Sequence, residues 1–70
     1  MDPVPQFAFN LRAARLACGL SQEALGLACN LHRTEVSLLE RAGREPRLMT
    51  ITKLARALEL RPAALLDNID

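Results

Sequence analysis

The side chains best equipped for chemistry in this 70-residue chain are its arginines. Between Arg33 and Arg56 lie six basic residues against three acidic ones, a local excess of three where the whole chain carries a formal +1. A guanidinium presents paired, coplanar donors that match a phosphate or the O6/N7 edge of guanine, so a local arginine excess suits recognition of a polyanion. Catalytic means are absent by comparison. There are no paired carboxylates at usable spacing, no nucleophile with an adjacent base and no phosphate-cradling glycine loop, which argues against an enzyme. His32 is the one histidine, and zinc takes about four ligands, so no metal is expected, nor any cofactor. Cys18 and Cys29 lack metal or redox spacing; each falls on an apolar helical stripe and reads as a buried free thiol. With no signal peptide and no run of eighteen apolar residues, the expectation is a soluble, cytoplasmic chain.

The elements that position these arginines must be helical. Tyr and Trp are missing, Phe7 and Phe9 are the only aromatics, and half the residues are hydrophobic. Leu and Ala dominate, which favours helix over sheet and predicts one all-α domain of about five helices over residues 1–70. Residues 22–41, QEALGLACNLHRTEVSLLER, read as two short helices around a three-residue corner. Leu25 and Cys29 recur at i and i+4 in the first, Val36 and Leu39 at i and i+3 in the second, giving each one apolar stripe. Asn30 tolerates the left-handed conformation of a tight corner, Leu31 pins it to the core, and Gly26 offers no side chain to hold the helices apart. The pattern is a helix-turn-helix.

Around it, residues 1–5 read as a flexible, proline-punctuated lead-in, with Pro5 in the first turn of a helix to about Ala17. Phe7, Leu11, Ala14 and Cys18 form its apolar face, Gly19 ends it, and Ser21 caps the next helix. The third helix starts at His32 or Arg33 and runs to Arg41, turning Arg33, Thr34, Ser37, Leu38 and Arg41 away from the core. Ala42 to Arg47 is a basic loop broken by Gly43 and Pro46. A fourth helix, about Leu48 to Leu58, buries Ile51, Leu54, Ala55 and Leu58, and Pro62 opens a short fifth holding Leu65 and Leu66.

From Leu11 to Leu66 the chain resembles the Cro/CI-type (XRE) helix-turn-helix family. The resemblance lies in the GLSQEAL entry to the second helix, the SLLER end of the third, the basic loop ending at Pro46 and the LARALEL helix after it. Within the family, the length and the NLHRTEVS turn are most similar to the small dimeric controller proteins of restriction-modification systems. The resemblance implies a compact five-helix, lambda-repressor-like domain that binds a palindromic operator in double-stranded DNA as a homodimer. It further implies transcriptional regulation, with RNA polymerase a partner only of an activator. The alternative is a protein-interaction module, such as an antitoxin-like subunit, using the same fold with weak or no DNA binding; the modest net charge keeps it open.

On this reading Arg33, Thr34, Glu35, Ser37 and Leu38 face base edges. Arg33 fits guanine, Thr34 an edge or a thymine methyl, and Leu38 either packs on a thymine methyl or is merely exposed. Glu35, where controllers often carry an aromatic, can accept from cytosine N4, hold Arg33 or repel phosphate. Gln22 at a helix N-terminus, His32 across the corner, and Arg41, Arg44 and Arg47 around the loop are the phosphate candidates, solvated surface being the plainer alternative. Arg44, able to reach only phosphate, is expected to grip cognate and random DNA alike. The resemblance also pairs Arg15 with Glu40, whose place at the edge of the core face makes a lone carboxylate costly. Leu65, Leu66 and Ile69 are more apolar surface than a short terminal helix can bury alone, and are the candidate dimer interface.

Overall fold

A computed structural model describes residues 2–70. Four α-helices, α1 (Pro3–Ala17), α2 (Gln22–Cys29), α3 (Arg33–Glu40) and α4 (Leu48–Ala57), precede a C-terminal 3-10 turn, Pro62–Leu66. The all-α expectation holds, with no strand among the described residues. The last element differs from the expected fifth α-helix. At five residues it is too short for a stable α ladder. Two of its end carbonyls are instead taken by a side chain of α1: Asn10 Nδ2 donates to Leu65 O (3.0 Å) and Asp67 O (2.8 Å). Gln6 Nε2 donates to Asn10 Oδ1 at 2.9 Å and fixes which way that carboxamide faces.

The expected lead-in is corrected as well. α1 already begins at Pro3, because Asp2 Oδ1 accepts the Val4 N–H (3.0 Å) and prolines are harmless in a first turn, where N–H groups lack partners. Met1 lies outside the described residues. At its other end α1 closes with Gly19 at φ 70° and Leu20 N–H donating to Arg15 O at 3.2 Å. The helix stops one residue before Cys18, which is therefore exposed rather than buried; Cys29 is buried as expected.

Phe7, Leu11, Leu25, Cys29, Val36, Leu39, Ile51, Leu54, Ala55, Leu58 and Leu65 make one core. α1 packs on α3 and the 3-10 turn, α2 on α3 and α4, and α4 on the 3-10 turn. Leu65 is 0 % exposed, so it is removed from the candidate dimer surface: its own domain consumes it. Leu66 is 41 % exposed, and Ile69 is half-buried against the core.

Two corners set the pose of α3. Asn30 adopts the left-handed conformation (φ 60°, ψ 42°), with its N–H and that of Leu31 both returning to Gly26 O. A Cβ built on Gly26 would sit 2.6 Å from Leu31 O, so only glycine admits this approach without backbone movement. After α3 the left-handed residue is Ala42 (φ 58°), not the neighbouring Gly43. A Cβ on Gly43 would meet the end of the Leu38 side chain, Cδ2, at 3.2 Å, a tight contact that a small shift of that side chain relieves.

Candidate nucleic-acid interface

α3 is an eight-residue helix, roughly 12 Å long at 1.5 Å per residue. Val36 and Leu39, both 0 % exposed, anchor one side in the core. Opposite them Arg33, Thr34 and Arg41 are exposed and Ser37 and Leu38 half-buried, so four-residue periodicity alone yields an outward polar face. His32 is not part of the helix but its cap: Nδ1 accepts the Thr34 N–H at 3.0 Å. That bond commits Nδ1 as an acceptor and leaves Nε2 as the outward-facing nitrogen. His was not foreseen as a cap, since Ser, Thr, Asp and Asn normally fill that position.

The expected Arg15–Glu40 pair is present and nearly dry, with side-chain exposures of 10 % and 4 %. Arg15 Nε donates to Glu40 Oε2 (2.6 Å) and Nη2 to Oε1 (3.0 Å), a bidentate fork joining α1 to the end of α3. Arg15 Nη1 donates to Leu20 O (2.8 Å), in the link between α1 and α2. The carboxylate holds the Arg15 pKa above its ordinary value through hydrogen bonding and charge, against the opposing effect of burial. Gln22 Nε2 donates to Glu40 Oε1 at 3.2 Å, placing this phosphate candidate at the start of α2 with a second amide hydrogen uncommitted. Neither the Leu20 nor the Gln22 bond was legible in residue types, because both depend on how α2 lies across the pair.

Around the loop the candidates part company. Arg41 and Arg47 are exposed at the C-cap of α3 and the N-cap of α4, with no carboxylate partner among the described residues. Arg44 is not free: its Nη1 donates to Glu35 Oε1. Glu35 thus holds Arg44 in this structure rather than Arg33, and a cleft lined by Glu35, Arg44, Glu45, Arg47 and Thr50 lies beside them. No group of three or more potential metal-ligating residues occurs among the described residues. No helix of the structure is long and apolar enough to cross a membrane.

A helix-turn-helix family model matches residues 11–65 of the chain. The chain belongs to the XRE-type helix-turn-helix family. This is a family of DNA-binding regulators, not of enzymes. The helix-turn-helix chain is 42 % identical over 62 residues to control protein C.BamHI of Bacillus amyloliquefaciens, covering 87 % of itself and 76 % of that protein. It is similar to the crystal structure of the restriction-modification controller protein C.AhdI from Aeromonas hydrophila, with a TM-score of 0.87 and 42 % identity. That match covers 89 % of this chain and 94 % of the controller. It also matches the P22 c2 repressor, solved in complex with a synthetic operator, at TM-score 0.80 and 30 % identity, over 87 % and 92 % of the two chains.

Proposed function

We propose that this protein binds operator DNA as a symmetric homodimer, each α3 entering the major groove of one half-site, and regulates a restriction-modification operon. The observation that carries the reading is the split of α3 into a fully buried side and an outward side bearing Arg33 and Thr34, with unpaired Arg41 and Arg47 beside it. Base-facing and phosphate-facing groups thus occupy separate positions, as recognition requires. The similarity to C.BamHI and C.AhdI supports the restriction-modification assignment. A mainly apolar groove lined by Pro3, Val4, Phe7, Pro46, Ile51, Leu66 and Ile69, with Glu45 at it, supports self-association through the C-terminal segment.

Selection of bound sequences from a random duplex pool tests the assignment. A palindrome should emerge with half-site centres about 34 Å apart. Arg33→Ala should lose affinity for that site by ~1–3 kcal/mol per half-site while random DNA barely responds. A pool that yields no enriched site, or Arg33→Ala weakening all DNA equally, would remove Arg33 and α3 from the reading role.

A further inference from the structure

We propose that Glu35 determines specificity indirectly, by holding Arg44 back from phosphate until the right base releases it. The proposal rests on the DNA-binding reading above and assigns to Glu35 a role beyond a single base contact. Two ion pairs occur among the described residues. One, Arg15–Glu40, is buried architecture. The other ties the first turn of α3 to the loop after it, across nine residues, with Glu35 24 % and Arg44 54 % exposed. The carboxylate is the more covered partner and the guanidinium the more exposed one. The adjoining cleft balances two carboxylates, Glu35 and Glu45, against two guanidiniums, Arg44 and Arg47. Arg44 therefore already has an anion where a DNA phosphate would sit.

A phosphate can take Arg44 only by displacing that carboxylate. The displaced Glu35 is then left on the helix that faces DNA, in a strongly negative field, with no counter-charge. On random DNA the exchange is unfavourable. Where a cytosine lies opposite, its N4 amino group donates to the freed carboxylate and the exchange can proceed. The phosphate contact made by Arg44 is thereby coupled to the base at Glu35, so a backbone-gripping residue acquires sequence dependence. This replaces the simpler expectation that Arg44 grips every DNA alike.

A double-mutant cycle on the full chain tests this. Glu35→Gln keeps the side-chain shape and removes the charge, freeing Arg44. Random-duplex affinity should rise roughly fivefold to tenfold at ~0.1 M salt, and the slope of log K against log salt should steepen by about 0.9, the signature of one more phosphate neutralised. Adding Arg44→Ala should abolish both gains, whereas Arg44→Ala alone should weaken random-DNA binding, because it leaves the Glu35 carboxylate without its counter-charge. Pool selection with Glu35→Gln should lose a cytosine preference at one position per half-site. Glu35→Ala repeats the test should Glu35→Gln fail to fold. Unchanged random-DNA affinity and slope in the charge-removed variant overturn the proposal. So does a double variant that binds random DNA as tightly as Glu35→Gln alone, which would mean plain repulsion of DNA by Glu35 with no part for Arg44. A wild-type protein with no salt-dependent binding to any DNA overturns the underlying reading too, and is readily told apart from binding that Glu35→Gln leaves unaltered.

Discussion

Arg15 does more for this molecule than its place in an amphipathic pattern suggests. Its guanidinium satisfies the Glu40 carboxylate and the Leu20 carbonyl at once, leaving no buried side-chain polar atom unpartnered among the described residues. Arg15→Ala leaves a nearly dry carboxylate with the Gln22 amide but no counter-charge, so it should cost about 3–5 kcal/mol in urea unfolding; a midpoint equal to wild type would show that Gln22 and water suffice for Glu40. The two thiols give a contrast at the same scale. Burial pushes the Cys29 pKa up from an ordinary 9.0. A group whose folded pKa is raised stabilises the fold below its unfolded pKa and loses that contribution as pH rises towards the folded value. Stability should therefore decline above about pH 9, and Cys29→Ala should flatten that limb of the curve. Exposed Cys18 should react with a thiol reagent at pH 8 while Cys29 stays protected until unfolding. The Arg15–Glu40 pair was legible through the family resemblance, which named the partner that a carboxylate at the edge of a core face needs. Cys18 was misread because its spacing continued a stripe past the point where the helix stops.

Among the elements, the helix-turn-helix was the most legible part. Leu25, Cys29, Val36 and Leu39 recur at helical spacing and all are buried. Asn30 marked its own corner, being one of the few side chains that tolerates a left-handed backbone. What residue types did not disclose is how close that corner runs. With Leu31 O only 2.6 Å from any Cβ at position 26, Gly26→Ala must move backbone rather than a flexible side chain. We expect a loss of ~1–3 kcal/mol, the usual cost of overpacking, and weaker DNA binding at temperatures where the variant is still folded, because α3 is displaced with the corner. A melting temperature within a degree of wild type would mean that the helices part freely. In the loop after α3, Gly43 and Pro46 marked the break but not the backbone path through it. Ala42 takes the left-handed position beside a glycine that does not, the reverse of what the two residue types suggest.

At the scale of the molecule, a body of 30 × 22 × 21 Å is too small to span two major-groove segments about 34 Å apart with one α3. Two copies would be needed, and the surface available for joining them is smaller than the sequence suggested. Leu65 belongs to the core, which leaves Leu66 and the groove around Pro46, Ile51 and Ile69. Leu66→Glu should leave the helical circular-dichroism signal intact, because that side chain is 41 % exposed, while sedimentation shifts from dimer to monomer at micromolar concentration. A variant that remains dimeric would place the interface elsewhere. Leu65 and Leu66 could not be told apart in advance: both are leucines in one short segment, and only the path of the 3-10 turn decides which points inward.

That turn is fastened by one carboxamide. Asn10, on α1, grips the carbonyls of Leu65 and Asp67 and so links the fate of the last residues to the first helix. The same stretch carries core residue Leu65 beside Leu66 and Ile69, which line the groove proposed for pairing. If the protein pairs as proposed, releasing the clasp draws Leu65 out of the core as it frees Leu66, so fold and assembly would be lost together on warming. Asn10 would then be a hinge pin common to both, a polar side chain through which the first helix decides whether the chain's end stays shut.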